Sequence, residues 1–173
     1  IPARGGAKGL PRKNLARVGG HPLVGRAVLA ARGASLVSEV VVSTDDEEIA
    51  AVARGYGARV IVRPEEISGD TATSESALLH AAERLEAEAG RPVDIIVLQQ
   101  CTAPFTTAAD IDATISPLLH GQADSAFAAL AFSHFVWQRG ADGEARGVNH
   151  DGGARKRRQE LERQYLEAGS VYA

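Results

Sequence analysis

Val40-Val41-Val42-Ser43-Thr44-Asp45-Asp46-Glu47, followed by Val60-Ile61-Val62, decides how this chain folds. The first three residues are β-branched, the mark of a short buried strand. Thr44 stands three residues before Glu47, a capping-box signature for a helix start. Ile49, Val52 and Ala53 continue that helix, and Gly55 or Gly57 can end it. Val60–Val62 then reads as the next strand. Strand, helix and strand in this order belong to an α/β sheet.

The same alternation runs outward in both directions. Upstream, Pro22 fits the first turn of a helix whose apolar face is Leu23, Val24, Ala27, Val28 and Ala31. Ile1–Ala3 reads as the end of a first strand, and residues 4–21 as a Gly-rich basic loop. Downstream, a loop over Pro64–Ala72 leads to a helix over about 74–89, with Leu78, Ala81, Ala82 and Leu85 on one face. Val93–Leu98 is the most strand-like segment. A helix over about 107–119 is built on Ile111, Ile115 and Leu118, and Pro117 kinks or ends it. Ser125–Phe132 reads as a further strand. The expectation is a three-layer α/β fold, a mostly parallel sheet with helices on both faces. After about residue 132 the alternation fails, and about 132–158 reads as a dimerisation arm or a mobile excursion. Both ends read as strands cut in mid-course, so residues 1–173 are expected to be one domain truncated at both ends.

Composition narrows the function. The chain has 173 residues, 45% hydrophobic and 24% charged, as in soluble globular proteins. Its net charge of −3 hides an asymmetry: Arg4, Lys8, Arg12, Lys13, Arg17, Arg26 and Arg32 precede the first acid, Glu39. A second basic group is Arg155-Lys156-Arg157-Arg158. Positive charge gathered in two places on an acidic protein suits a small anion. A nucleic-acid binder would be basic overall with aromatics among its cations, and aromatics are 5% here. No apolar run is long enough to span a membrane, and no signal peptide opens the chain. A single cysteine, Cys101, points to a cytoplasmic protein. The five histidines show no metal-ligand spacing.

Ligands of such sheets bind beyond the carboxyl ends of the strands, where loops 4–14, 63–74 and 99–106 are expected. The first reads Arg4-Gly5-Gly6-Ala7-Lys8-Gly9-Leu10-Pro11-Arg12-Lys13-Asn14. Glycines let backbone N–H groups approach a ligand, and Lys and Arg supply charge for a polyphosphate. The pattern is neither the P-loop nor the dinucleotide fingerprint.

Ile1–Asn14 resembles the opening of the acylneuraminate cytidylyltransferases, P-A-R-G-G-S-K-G-x-P-x-K-N. The resemblance continues through Val42-Ser43-Thr44-Asp45, Arg63-Pro64-Glu65, Asp70-Thr71-Ala72-Thr73-Ser74 and Leu98-Gln99-Gln100-Cys101-Thr102-Ala103-Pro104, where the family has L-Q-P-T-S-P. It closes with Arg158-Gln159-Glu160-Leu161 and Gly169-Ser170-Val171-Tyr172. It implies a nucleotide-diphospho-sugar transferase-like fold and a nucleotidyltransferase that moves CMP from CTP to the anomeric hydroxyl of a sialic-acid-type 2-keto-3-deoxy sugar acid, releasing pyrophosphate. It further implies that Arg4, Lys8 and Lys13 serve the phosphates and the leaving pyrophosphate, with Gly5, Gly6, Ala7 and Asn14 beside them. Arg63 and Ser74 would meet the cytidine, and Gln100, Arg158 and Tyr172 the sugar acid. Mg²⁺ would bridge phosphates, with its Asp-x-Asp ligands C-terminal to the Tyr172 strand and none within this chain. A homodimer is implied too.

The chain departs from the family pattern at Ala7, which replaces a serine, and at Cys101, Ala103 and Ala168. Alternatives are the same chemistry on legionaminic, pseudaminic or another sugar acid, or a nucleotide-binding module without full catalysis. A uridylyl- or guanylyl-transferring relative fits the Arg63–Ser74 segment less well. Asp45-Asp46-Glu47-Glu48 reads as first-turn acids favoured by the helix dipole rather than as a metal cluster. Asp110 and Asp112 also read as helix-start acids. Within the basic run only Arg158 carries a motif match. His134 and Trp137 suit a sugar contact or a packing role equally, and Cys101 reads as a small buried hydrophobe.

Overall fold

A computed structural model describes residues 1–6, 9–154 and 156–173, with Arg158 described by its backbone alone. β1 (Arg17–Val18) and β2 (His21–Pro22) form an antiparallel ribbon that leads into α1 (Leu23–Gly33). β3 (Val41–Thr44), α2 (Glu47–Gly55) and β4 (Arg59–Val62) then make the strand–helix–strand unit. β3 and β4 are parallel, in register from Val41 opposite Arg59 to Thr44 opposite Val62. The other edge of β3 receives Ile1–Ala3. There the Ser43 N–H donates to Ile1 O (3.1 Å) and the Ala3 N–H to Ser43 O (2.9 Å), around a parallel bridge from Pro2 to Ser43.

Alternate residues of β3 face opposite ways. Val42 is fully buried against Leu23, Val24 and Val28 of α1 and Ile49 and Ala53 of α2. Burial of side chains of this size is worth about 1.5–3 kcal/mol each. The opposite face looks across a cavity of about 380 Å³, lined by Val41, Ser43, Gln99 and by Ala77 and Ala81 of α3 (Ser74–Ala89). Helices therefore cover both faces. The far side of α1 meets α4 (Ala108–Leu119), where Ala31 and Ala34 pack with Ile111, Ile115 and Val171.

Three local expectations change. The cap of α2 is Asp46, whose carboxylate accepts the Ile49 N–H (2.9 Å), and not Thr44. Thr44 is held in the β3 ladder, so its hydroxyl lies too early to reach the helix and accepts the Asp46 N–H instead (3.1 Å). Pro22 stands at the cap of α1, one residue before its first turn. Of Val93–Leu98 only the last residue joins a ladder: β5 is Leu98–Gln99, paired antiparallel with β9 (Gln164–Tyr172). Residues 94–97 face the cavity and have no strand partner among the described residues. Pro117 stays inside α4, which ends two residues later. Thr107 and Asp110 form the capping box of α4.

β5, β9 and β6 (Phe127–Phe132) make a three-stranded sheet in the order β5-β9-β6. The chain divides into two units, Ile1–Ala128 with Ala168–Ala173, and Ala129–Glu167. Within the second, β7 (Trp137–Arg139) pairs with β8 (Ala145–Gly147). The His150 ring lies edge-on to Phe135 and to Trp137, each at 4.7 Å between centroids. Asn149 accepts the Val136 N–H (2.8 Å) and donates to Gln164 Oε1 (2.6 Å) and His134 O (2.9 Å), tying the hairpin together.

Gln99 is 3% exposed, and neither atom of its amide has a hydrogen-bond partner among the described residues. An unmet buried amide costs about 1–3 kcal/mol. Gln99→Leu, close in volume, is therefore expected to raise the melting temperature. A thermal melt checks this, and an unchanged or lower value would count against it.

Candidate active site

The basic loop that follows Ile1–Ala3 meets the carboxyl end of β3 and the loop that follows β4. Arg4 leaves the first strand and donates from Nη1 to Gly69 O (2.8 Å), with Asp70 Oδ1 at 3.5 Å. Asn14 is buried, and its Nδ2 donates to Arg4 O (2.9 Å), closing the base of the basic loop. The Gly5 N–H donates to Asp45 Oδ1 (2.9 Å). A Cβ on Gly5 would lie 2.7 Å from Asp46 Oδ2, so a side chain there would displace the carboxylate that caps α2. Gly6 is exposed, with open space where a Cβ would be.

Arg63, first residue after β4, is 6% exposed. Its Nε donates to Ser43 Oγ (3.1 Å) and its Nη2 to Ser43 O (2.7 Å). Burial holds its pKa below the ordinary arginine value; Asp45 opposes that shift and Arg4 adds to it. Arg4, Asp45 and Arg63 thus share one electrostatic neighbourhood. Ser74 opens α3, one residue after the cap Thr73, whose hydroxyl accepts the Ser76 N–H (3.2 Å).

Lys13 begins a 3₁₀ turn, Lys13–Leu15, entered through Arg12 at φ 54. Arg12 is ion-paired with Glu48. In the third loop, 99–106, burial pushes the Cys101 thiol up to about 11, against the smaller opposing effects of the Ile1 ammonium and of Lys13. Cys101 is 4% exposed within the core cluster around Ala3 and Leu23. It is expected to stay unlabelled by a thiol reagent at pH 8 in the folded protein and to react on unfolding. Rapid labelling of the native protein would contradict that placement. Because its folded pKa is raised, its contribution to stability is complete below pH 9 and is lost as pH climbs toward 11.

In the same third loop the Gln100 N–H donates to Ser170 O (2.9 Å), and its Oε1 accepts the Thr102 hydroxyl (3.2 Å). Tyr172 is paired with Leu98 in the ladder and stacks on Phe127 at 6.4 Å. Gln100, one residue past β5, and Tyr172 are therefore both placed by the pairing of this segment with β9. Arg158 lies in a 3₁₀ turn, Arg158–Glu160, of the second unit. Ala7 and Lys8 lie outside the described residues.

The geometry adds two residues. Asp45 reads from sequence as a first-turn acid, yet its carboxylate engages the basic loop. Arg26, on α1, donates from Nε to Pro104 O (2.8 Å) and from Nη1 to Val18 O (3.2 Å), bracing the third loop against the end of the first. Nothing in its sequence surroundings marks it.

A family model described as Cytidylyltransferase matches residues 1–168. N-acylneuraminate cytidylyltransferase A of Danio rerio is 34% identical over 175 residues, spanning 99% of this chain and 40% of that protein. Pseudaminic acid cytidylyltransferase of Campylobacter jejuni subsp. jejuni serotype O:23/36 (strain 81-176) is 32% identical over 175 residues, spanning 99% of this chain and 75% of that protein. The chain thus spans about two fifths of the fish relative's length and three quarters of the bacterial one's. Among solved structures, CMP:2-keto-3-deoxy-manno-octonic acid synthetase complexed with CTP matches with a TM-score of 0.72 at 19% identity, over 99% of this chain and 70% of that one. At that identity the likeness concerns the α/β fold.

Proposed function

The chain belongs to the cytidylyltransferase family, and we propose that it transfers CMP from CTP to the anomeric hydroxyl of a sialic-acid-type 2-keto-3-deoxy sugar acid, releasing pyrophosphate. The observation that carries the reading is the meeting of Arg4, Arg63 and Asp45 in one electrostatic neighbourhood beside Gly5, with buried Asn14 tying the Lys13 turn to Arg4. Phosphoryl-type transfer depends mainly on positioning and charge neutralisation. Arg4, Lys8 and Lys13 hold the triphosphate and meet the charge that grows on the departing pyrophosphate, with Gly5, Gly6, Ala7 and Asn14 shaping the cradle. Arg63 and Ser74 face the cytidine. Gln100, Arg158 and Tyr172 serve the sugar acid, whose carboxylate suits an arginine. The similar identities to an acylneuraminate and a pseudaminic acid enzyme support a nine-carbon acid.

The described residues include no group of three or more His, Cys, Asp or Glu that could hold a metal. Asp45, Asp46, Glu48 and Asp70, the acids beside the basic loop, are engaged with N–H donors or cations of this chain. They do not fit a metal site; in this reading Mg²⁺ accompanies the triphosphate and bridges its phosphates, with Asp-x-Asp ligands C-terminal to the Tyr172 strand. No described helix is long and apolar enough to cross a membrane. A homodimer is part of the proposal, supported by exposed Leu130, Trp137, Val148 and Leu166 on the second unit.

The experiment is pyrophosphate release by the full-length protein with Mg²⁺ and CTP across nine-carbon and eight-carbon sugar acids. Release with one acid, and not with UTP in place of CTP, is expected. CTP binding with no release from any acid would leave a nucleotide-binding module instead.

A further inference from the structure

Three of the groups that the basic loop would offer a polyphosphate lie against a carboxylate of this chain. The Gly5 N–H is held by Asp45, Arg4 lies against Asp70, and Arg12 is paired with Glu48. Asp45 differs from the other two. Arg4 and Arg12 each carry several N–H groups on a flexible stem and can take a second partner. A backbone N–H has one proton, fixed in direction by the loop. A phosphate oxygen can accept it squarely only when Asp45 withdraws. The Asp45 charge also acts on buried Arg63, opposing the effect of Arg4 on the same guanidinium. This carboxylate both satisfies the loop backbone and offsets the effect of Arg4 on Arg63.

We infer that Asp45 is an internal anion that trades places with a nucleotide phosphate. It holds Gly5 and the Arg4–Arg63 neighbourhood in binding form while the site is empty. It gives up the Gly5 N–H when the triphosphate arrives and takes it back as pyrophosphate departs. One hydrogen bond is exchanged for another, and no covalent bond changes. The inference rests on the phosphate-binding reading of this loop. Its consequence is kinetic: the carboxylate competes with bound phosphate, which weakens retention of the pyrophosphate product and speeds its release.

Asp45→Asn isolates the charge, because asparagine keeps an oxygen for the Gly5 N–H. Asp45 is exposed on the loop between β3 and α2, so the variant is expected to fold, with at most a small drop in melting temperature from the charge lost beside Arg63. Asp45→Ser, smaller and also neutral, provides a second test. Calorimetric titration of the full-length protein with pyrophosphate, with CTP and with uncharged cytidine reads the effect. Removing one like charge at this range should tighten pyrophosphate about three- to ten-fold and leave cytidine unchanged. Product inhibition by pyrophosphate should strengthen in the same proportion. Unchanged or weaker pyrophosphate binding in both variants, or an equal change for cytidine, would overturn the inference while leaving the proposed function standing. A wild-type protein that binds neither pyrophosphate nor CTP would remove both together.

Discussion

Lys13→Ala is expected to slow pyrophosphate release by about 10²–10³-fold, the usual cost of deleting one preorganised group that meets developing charge, with little change in melting temperature. The two halves of this expectation have separate origins. The turn that presents Lys13 is fixed by backbone: the Lys13 N–H donates to Leu10 O (3.1 Å), and the Ala16 N–H to Lys13 O (3.0 Å). Buried Asn14 pins the same turn to Arg4 from beneath. None of this uses the Lys13 side chain, so alanine leaves the turn in place. The ammonium itself acts on Cys101, so its field reaches the third loop as well as its own. Steady-state kinetics on the full-length protein, with a thermal melt of the same sample, check both halves. Near-normal turnover in a folded variant would remove Lys13 from the proposed reaction.

Gly25→Ala is expected to destabilise the fold by about 1–3 kcal/mol, the range for overpacking a filled core. Two effects oppose each other here. Within a helix, alanine is favoured over glycine by about 1 kcal/mol, which alone would make this a stabilising change. But a Cβ at Gly25 would lie 2.7, 2.8 and 3.0 Å from three atoms of the Tyr56 ring. The ring cannot swing away at no cost, because its hydroxyl is bonded to His21 Nδ1 (2.9 Å) and it lies edge-on to that imidazole. Steric conflict outweighs propensity. Urea unfolding measures the difference, and a variant as stable as the wild type would refute the conflict. Pairing the change with Tyr56→Ala should make the two effects clearly less than additive.

Much of the fold was legible because its signals are local. The helix expected over 74–89 is α3, and the one expected over 107–119 is α4 with its cap Thr107. Val40–Val42 and Val60–Val62 announced the parallel pair at the centre. The departures occur where non-local geometry decides. Thr44 and Asp46 are equally good cap residues by type, and only the β3 ladder assigns Thr44 to the strand. Val93–Leu98 has strand composition throughout, but a ladder needs a neighbour, and β9 reaches only Leu98 and Gln99. The meeting of the first two loops followed from the rule for strand ends, and Arg4 does meet the 63–74 loop at Gly69. The Asp45 contact with Gly5 spans 40 residues, and that of Arg26 with Pro104 spans 78. No pattern within a short window of sequence records such pairings.

Arg26 ties two distant segments of this protein to one side chain. One guanidinium serves both Val18 and Pro104, so an insertion that shifted either carbonyl would strand part of an arginine the other still needs. Natural variation in one segment is thereby restricted to forms the other tolerates, and the two are expected to diverge in step across lineages. Phe105, next in the chain and 80% exposed, is under no such constraint from Arg26.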